Sequence, residues 1–156
     1  MNINPTNLVP RSLAVEFWRG NVSGLQAYDL ISPERASKNI GEFCVLMPGQ
    51  EEIVLTKEVI VIRATDNASF DQFYLMWALT LSVVRRQWER IVLMQTNRED
   101  VGSRKFEVRV PVPDNRKTGN QVSDSFRDYY KGLEKLRSGF AAALKSSKYD
   151  HHIFID

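Results

Sequence analysis

The sequence predicts an α+β fold: a small mixed or antiparallel sheet, a buried aromatic-rich helix and a long C-terminal helix. Three observations predict it. The run Glu58 to Ala64 (EVIVIRA) is β-branched and apolar, the composition of a strand. From Phe70 to Trp88 apolar residues recur at intervals of three and four, the spacing of one helix face. From Phe126 to Ala143 the steps are 3, 4, 3, 4, 3, a heptad seam rather than a broad amphipathic stripe.

Taken in order, residues 1–40 follow no single period. Short apolar patches (Leu13 to Trp18, Tyr28 to Ile31) lie among Gly20, Gly24 and Pro33, so short strands or irregular structure are expected. Gly41 to Met47 reads as a strand closed by the turn signal Pro48-Gly49. Glu52 to Leu55 is a candidate short strand, and Glu58 to Ala64 the clearest one. A helix over about Phe70–Arg90 follows a polar break. Ser69 with Gln72 three residues on has the form of a capping box, and Asp71 adds charge in the first turn. Leu75, Met76 and Leu79 widen its apolar stripe, which places its first half deep in the core.

Ile91 to Met94 is a short apolar run of strand type. Thr96 or Asn97 is placed to cap one helical turn that stops at Gly102. Phe106, Val108, Val110 and Val112 alternate with Glu107, Arg109 and Pro111, the pattern of a half-buried strand. Its prolines put it at a sheet edge. Pro113 to Asn120 reads as a polar loop. The last helix is expected over Ser123–Leu144, with Asp124 in its first turn, and His152 to Ile155 as a short terminal strand. A narrow seam calls for a partner helix; packing on its own domain is the alternative.

Composition bounds the chemistry. With 156 residues the chain is long enough to bury a core without metals or disulfides. One cysteine, Cys44, rules out an internal disulfide and a Cys-based zinc site. In its apolar run (Phe43 to Met47) it reads as a small core hydrophobe, and the cytoplasm is the expected compartment. The first residues lack a charged-then-apolar signal pattern, and no stretch approaches 18 apolar residues, so no membrane association is expected.

Catalytic patterns are missing. There is no Gly-rich phosphate loop, no Gly-x-Ser-x-Gly elbow and no Asn/Asp-Pro-Pro-aromatic motif of an adenine methyltransferase. No lysine has Asp or Glu two positions before it, the arrangement a metal-dependent nuclease strand needs. His151 and His152 are adjacent, so a strand would point them to opposite faces. The chain is therefore expected to be non-catalytic, with no cofactor and no metal.

The charged segment is Arg85 to Lys105. Arg85, Arg86, Arg90, Arg98, Arg104 and Lys105 face only Glu89, Glu99 and Asp100, a local excess of three against +2 for the whole chain. Gln95, Thr96, Asn97 and Ser103 are interleaved. Arg and Lys neutralise phosphates, Arg reads guanine edges, and Asn or Gln pairs with adenine. These ten residues are the candidate DNA-binding set. A solvated helix end followed by a capping turn has the same composition, so composition alone leaves both readings open.

The order of features adds to this. From about Gly41 to Leu144 the chain resembles the target-recognition domain of type I restriction-modification specificity subunits, and the similar region of some adenine methyltransferases. The resemblance rests on a strand pair (Gly41 to Met47, Leu55 to Arg63) and an aromatic-rich helix containing Tyr74-Leu75. Then come the Gln-containing polar turn Gln95 to Val101, the apolar stretch ending Pro111-Val112-Pro113, and a long helix. It implies a sequence-reading module of double-stranded DNA, residues 1–118, followed by a spacer-like helix and tail, residues 119–156. It also implies that the helix docks a methyltransferase subunit or a second copy, through Phe126, Tyr129, Leu133, Leu136 and Phe140. A specificity subunit carries two recognition domains and two long helices; this chain has one of each. Two other classes compete: a protein-interaction module that uses the C-terminal helix without touching DNA, and a small nuclease.

Overall fold

The computed structural model describes residues 24–35, 39–51, 53, 55, 58–93 and 101–148. A three-stranded antiparallel sheet has β1 (Leu30–Pro33) at its centre, between β2 (Cys44–Val45) and β3 (Val59–Ile62). Leu30 is paired with Val45 on one side and Ile62 on the other. Main-chain bonds carry the pairing past the strand ends, from Tyr28 N–H to the Leu46 carbonyl (2.6 Å) and from Glu34 N–H to Glu58 (2.7 Å). Pro33 closes β1, where a strand tolerates a missing N–H.

The alternation of β1 serves two cores. Leu30 meets Val45, Met47 and the helical residues Phe73, Leu75 and Met76. Ile31 points the other way, to Leu25 and Leu46. Both faces are covered, so β1 is buried over three of its four residues. The candidate strand Gly41 to Met47 contracts to two paired residues, and Cys44, expected in the core, is only partly buried because β2 is an edge.

Where one helix was expected over Phe70–Arg90, there are two: α1 (Gln72–Leu79) and α2 (Ser82–Leu93). Thr80 ends α1. Its hydroxyl and its N–H both donate to the Trp77 carbonyl, at 2.7 and 3.0 Å, a competing local bond that side chains of this type favour. The break lets the two helices bury different faces. Five of the eight residues of α1 are buried, as in a helix enclosed by its own domain. α2 turns Val84, Trp88 and Ile91 onto a third cluster, with Ile40, Ile60 and Val101. The Trp88 side chain closely approaches the chain at Gly41. A Cβ there would come within 2.9 Å of the Trp88 Cβ, and the φ of +85° also favours glycine.

The cap of α1 also differs from the expected capping box. Asp71, not Ser69, accepts the Tyr74 N–H at 3.0 Å. Gln72 instead faces the sheet: its amide accepts from Ala64 N–H (2.8 Å) and donates to the carbonyls of Tyr28 (2.8 Å) and Ile62 (3.3 Å). Ile91 to Leu93 belongs to the last turn of α2 rather than to a strand.

The expected edge strand Phe106–Val112 is not a strand. Gly102, placed by the sequence reading at the end of a helical turn, opens a 3-10 turn (Gly102–Glu107) with φ +46°. Phe106 falls within it and is 82% exposed. The extended stretch beyond it carries Pro111 and Pro113, which have no N–H to offer a ladder. It is tied to helices instead: Tyr74 donates its hydroxyl to the Pro111 carbonyl at 3.3 Å.

The last helix, α3 (Arg116–Lys145), starts seven residues earlier than expected. Asn115 is a sufficient cap, accepting the Thr118 N–H at 2.9 Å, so Arg116 to Asn120 is helix and not loop. At Gly119 the helix passes so close to Pro113 and Tyr74 that a Cβ would meet them at 3.0 and 3.5 Å. Phe126, Tyr130 and Leu133 then pack on the core around α1. Arg127 joins Asp71 (2.7 Å) and Asp124 and lies over the Phe73 ring, 5.4 Å from its centre. Higher up, Glu134 accepts the Tyr28 hydroxyl at 2.5 Å, and Lys131 lies over the same ring.

Asp29 anchors the sheet corner. It is 1% exposed, takes two hydrogen bonds from Arg63 on the chain leaving β3 (2.6 and 2.5 Å) and one from Gln26 N–H (2.7 Å). Asp29→Ala should cost about 3 kcal/mol, the low end for breaking a buried pair, because Arg63 can still reach water. The check is the urea unfolding midpoint, which should fall at unchanged m. The second expectation concerns acid. The Tyr28 hydroxyl, followed by Lys131, holds the Glu134 carboxyl below its usual 4.5. A depressed carboxylate stabilises the fold above its unfolded pKa, and that contribution disappears as pH falls through the lowered folded value. Glu134→Gln should flatten the loss of stability across that window in thermal melts run at stepped pH.

Candidate nucleic-acid interface

α2 buries one stripe and shows the other to solvent. Arg86 and Arg90, four residues apart, stand on one exposed stripe, and Arg85 and Glu89 on the next. Arg85 approaches Glu89 at 3.6 Å, an exposed pair of little energetic weight. The 3-10 turn packs beside the same helix. Its Arg104 grips Glu107 with two 3.2 Å bonds. These bonds, with the charge of Arg90 as the smallest contribution, hold the Glu107 carboxyl below its ordinary range. Lys105 is bonded to Glu34 just beyond β1 and lies 5.5 Å over the Phe106 ring.

The ten nominated residues are thus sorted by the fold. Arg85, Arg86 and Arg90 share the outward side of α2, and Ser103 is exposed in the 3-10 turn. Arg104 and Lys105 lie close by but are each committed to a carboxylate. Gln95, Thr96, Asn97 and Arg98 lie outside the described residues, as do His151 and His152.

One cation was missed. Arg109 is exposed beside α2, because Gln87 bonds its backbone in both directions: Arg109 N–H to Gln87 Oε1 and Gln87 Nε2 to the Arg109 carbonyl, each 2.8 Å. The alternation Phe106 to Val112 set Arg109 opposite its apolar residues, but it also set Phe106 and Val112 on the buried side, and both are exposed. What no sequence period shows is that the Arg109 main chain is paired to a helix side chain 22 residues earlier. No ion pair among the described residues neutralises Arg86, Arg90 or Arg109.

A cleft of about 490 Å³ lies on the other side of Arg85. Leu30, Val45, Met76 and Trp88 line it, with Glu42 and Glu89 among its polar groups. Phe43 meets Trp88 edge-on at 5.8 Å, and the Trp88 indole N–H is buried without a hydrogen-bond partner. Among the described residues no group of three His, Cys, Asp or Glu side chains could hold a metal ion. Nor is any described helix long and apolar enough to cross a membrane.

The heptad seam divides. Phe126 and Leu133 face the chain's own core, joined by Tyr130, which the seam reading left out. Tyr129, Leu136 and Phe140 remain 64%, 73% and 47% exposed. Comparisons with protein-family models, with curated proteins and with solved structures return no match.

The clamp on Arg109 gives a direct expectation. Gln87→Ala removes both hydrogen bonds to Arg109, worth together about 1–2 kcal/mol, along with a longer one to the Val83 carbonyl. The amide of Arg109 should then exchange with solvent far faster, while the amides of β1 keep their protection. Equal protection of Arg109 in both proteins would mean that something other than Gln87 holds it.

Proposed function

We propose that the chain is a non-catalytic module that reads double-stranded DNA on behalf of an adenine methyltransferase. The observation that carries the reading is the cationic side of α2. Arg86 and Arg90 are exposed one turn apart, Arg109 is fixed beside them by Gln87, and among the described residues none of the three forms a salt bridge. Exposed guanidinium groups on and beside a helix suit a phosphate backbone, since each offers a planar fork of donors to it. Carboxylates hold back Arg104 and Lys105 next to them, so the strongest contacts fall on α2. Base reading is assigned to Gln95, Thr96, Asn97 and Arg98, whose side chains carry the donors and acceptors of the major groove. The methyltransferase partner comes from the resemblance to specificity subunits, with the missing catalytic motifs as its complement.

The test is duplex binding measured by fluorescence anisotropy across a salt series. Each phosphate contact contributes about 0.9 to the slope of log K against log salt. Arg86→Ala with Arg90→Ala should therefore flatten the slope by about 1.8, with thermal unfolding unchanged, since both side chains are exposed. If affinity and slope both stay where they were, α2 is not the DNA face.

A further inference from the structure

The outward face of α3 carries an arrangement that nothing among the described residues explains. Val122, Tyr129, Leu136 and Ala143 follow one another at intervals of seven, and all four are exposed. Three residues after each of the first three stand Ser125, Gly132 and Gly139, also exposed. Mid-helix glycine weakens a helix and needs a reason. Gly119 has one within the chain, since Pro113 and Tyr74 leave no room for a Cβ. Gly132 and Gly139 have none: among the described residues nothing lies within 4 Å of where a Cβ would be. The same face thus pairs two large exposed side chains, Tyr129 and Leu136, with two empty notches.

We infer that this face binds the same face of a second copy of the chain, with the two α3 helices antiparallel. The spacing argues for the occupant. When Tyr129 is set against Gly139 of the second copy, Gly132 of the first falls opposite Leu136 of the second. Ser125 then falls opposite Ala143. Antiparallel helices keep this register because each step along one is a step back along the other. Every large side chain meets a small one, and the twofold repeats both contacts, as self-complementary interfaces require. A parallel pair would set tyrosine on tyrosine and leave glycine against glycine. Phe140, partly exposed on the side nearer the domain, comes close to Phe126 of the second copy.

Electrostatics permit the pairing. No residue of the stripe itself is charged, Asp128 and Lys135 alone flank it on its polar side, and the chain's net charge is only +2. The contact runs about 31 Å along the helix, from Val122 to Ala143 at 1.5 Å per residue. Arg86, Arg90 and Arg109 lie on other elements, so the pairing stands independently of the DNA reading.

The experiment is sedimentation velocity on the full chain without DNA, up to about 100 µM. The wild type should sediment with twice the 18.0 kDa chain mass. Gly132→Leu with Gly139→Leu fills the notches and, with open space around both positions, improves the helix. It should weaken the dimer at least about 30-fold, as for removal of a strong interface contact, while the chain's thermal stability holds or rises. Direction is read separately in a Cys44→Ser background. Mixed Ser125→Cys and Ala143→Cys chains should form the mixed disulfide, and neither should form it with itself. A monomeric wild type, a dimer indifferent to the two leucines, or preferential self-crosslinking at Ser125→Cys would each overturn the inference.

Discussion

The carboxylate of Asp29 holds the junction that the rest of the fold is built on. It sits just before β1, is almost fully buried, and is neutralised by Arg63 just after β3. That pair brings the two ends of the central antiparallel ladder together at one corner. The same corner receives α1: Gln72 bonds the carbonyls of Tyr28 and Ile62 and the N–H of Ala64. A buried charge without its partner costs several kcal/mol, so sheet and helix N-terminus are specified together. Tyr28, next in the chain to Asp29, adopts φ +71°, a strained conformation that a well-determined surrounding can hold. Its ring then packs on Phe73 and its hydroxyl reaches α3.

From that corner the helices divide the work. α1 is consumed as core. α2 and α3 each give one face to the interior and keep another outside. On α2 the outer face is cationic; on α3 it is apolar and notched. Neither outer face is needed to hold the domain: the contacts that fix α3 run through Phe126, Arg127, Tyr130, Leu133 and Glu134. Surfaces that carry chemistry without bearing on stability are where a chain meets its partners. The proposed function assigns DNA to the charged face and another polypeptide to the apolar one.

The local excess of cations in the sequence counts charges that the fold ties up and leaves out one that it exposes. Arg104 and Lys105 count as positive charge in a composition, yet each is bonded to a carboxylate, Lys105 to one 71 residues away. Arg109 lay within an apolar run and was counted only as its outward residue. Its place beside α2 depends on Gln87, a side chain on another element. Charge is additive along a sequence, but availability of charge depends on neighbours that only folding supplies.

The sequence by itself determined the α+β class, β3 within Glu58 to Ala64, the burial of the Phe73 to Met76 stretch and the presence of a long final helix. These follow from periodicity and side-chain type, which act within a few residues. It could not determine that Leu30–Pro33 is the central strand. Asp29, Ser32 and Pro33 disguise it, and only pairing with Arg63, Gly41 and Val59 makes each of them fit. Tertiary contacts likewise took Gln72 from its cap, and the predicted helix divided at Thr80, where a local bond to the Trp77 carbonyl competes with the helix. Tertiary contacts also turned the predicted Phe106–Val112 strand into a 3-10 turn and a proline-stiffened tie. The seam of α3 was legible as a repeat of apolar residues. Which of them would be spent on the core and which left outside was decided by how α3 packs on α1 and the sheet: Phe126 and Leu133 reach that core, and Tyr129, Leu136 and Phe140 do not.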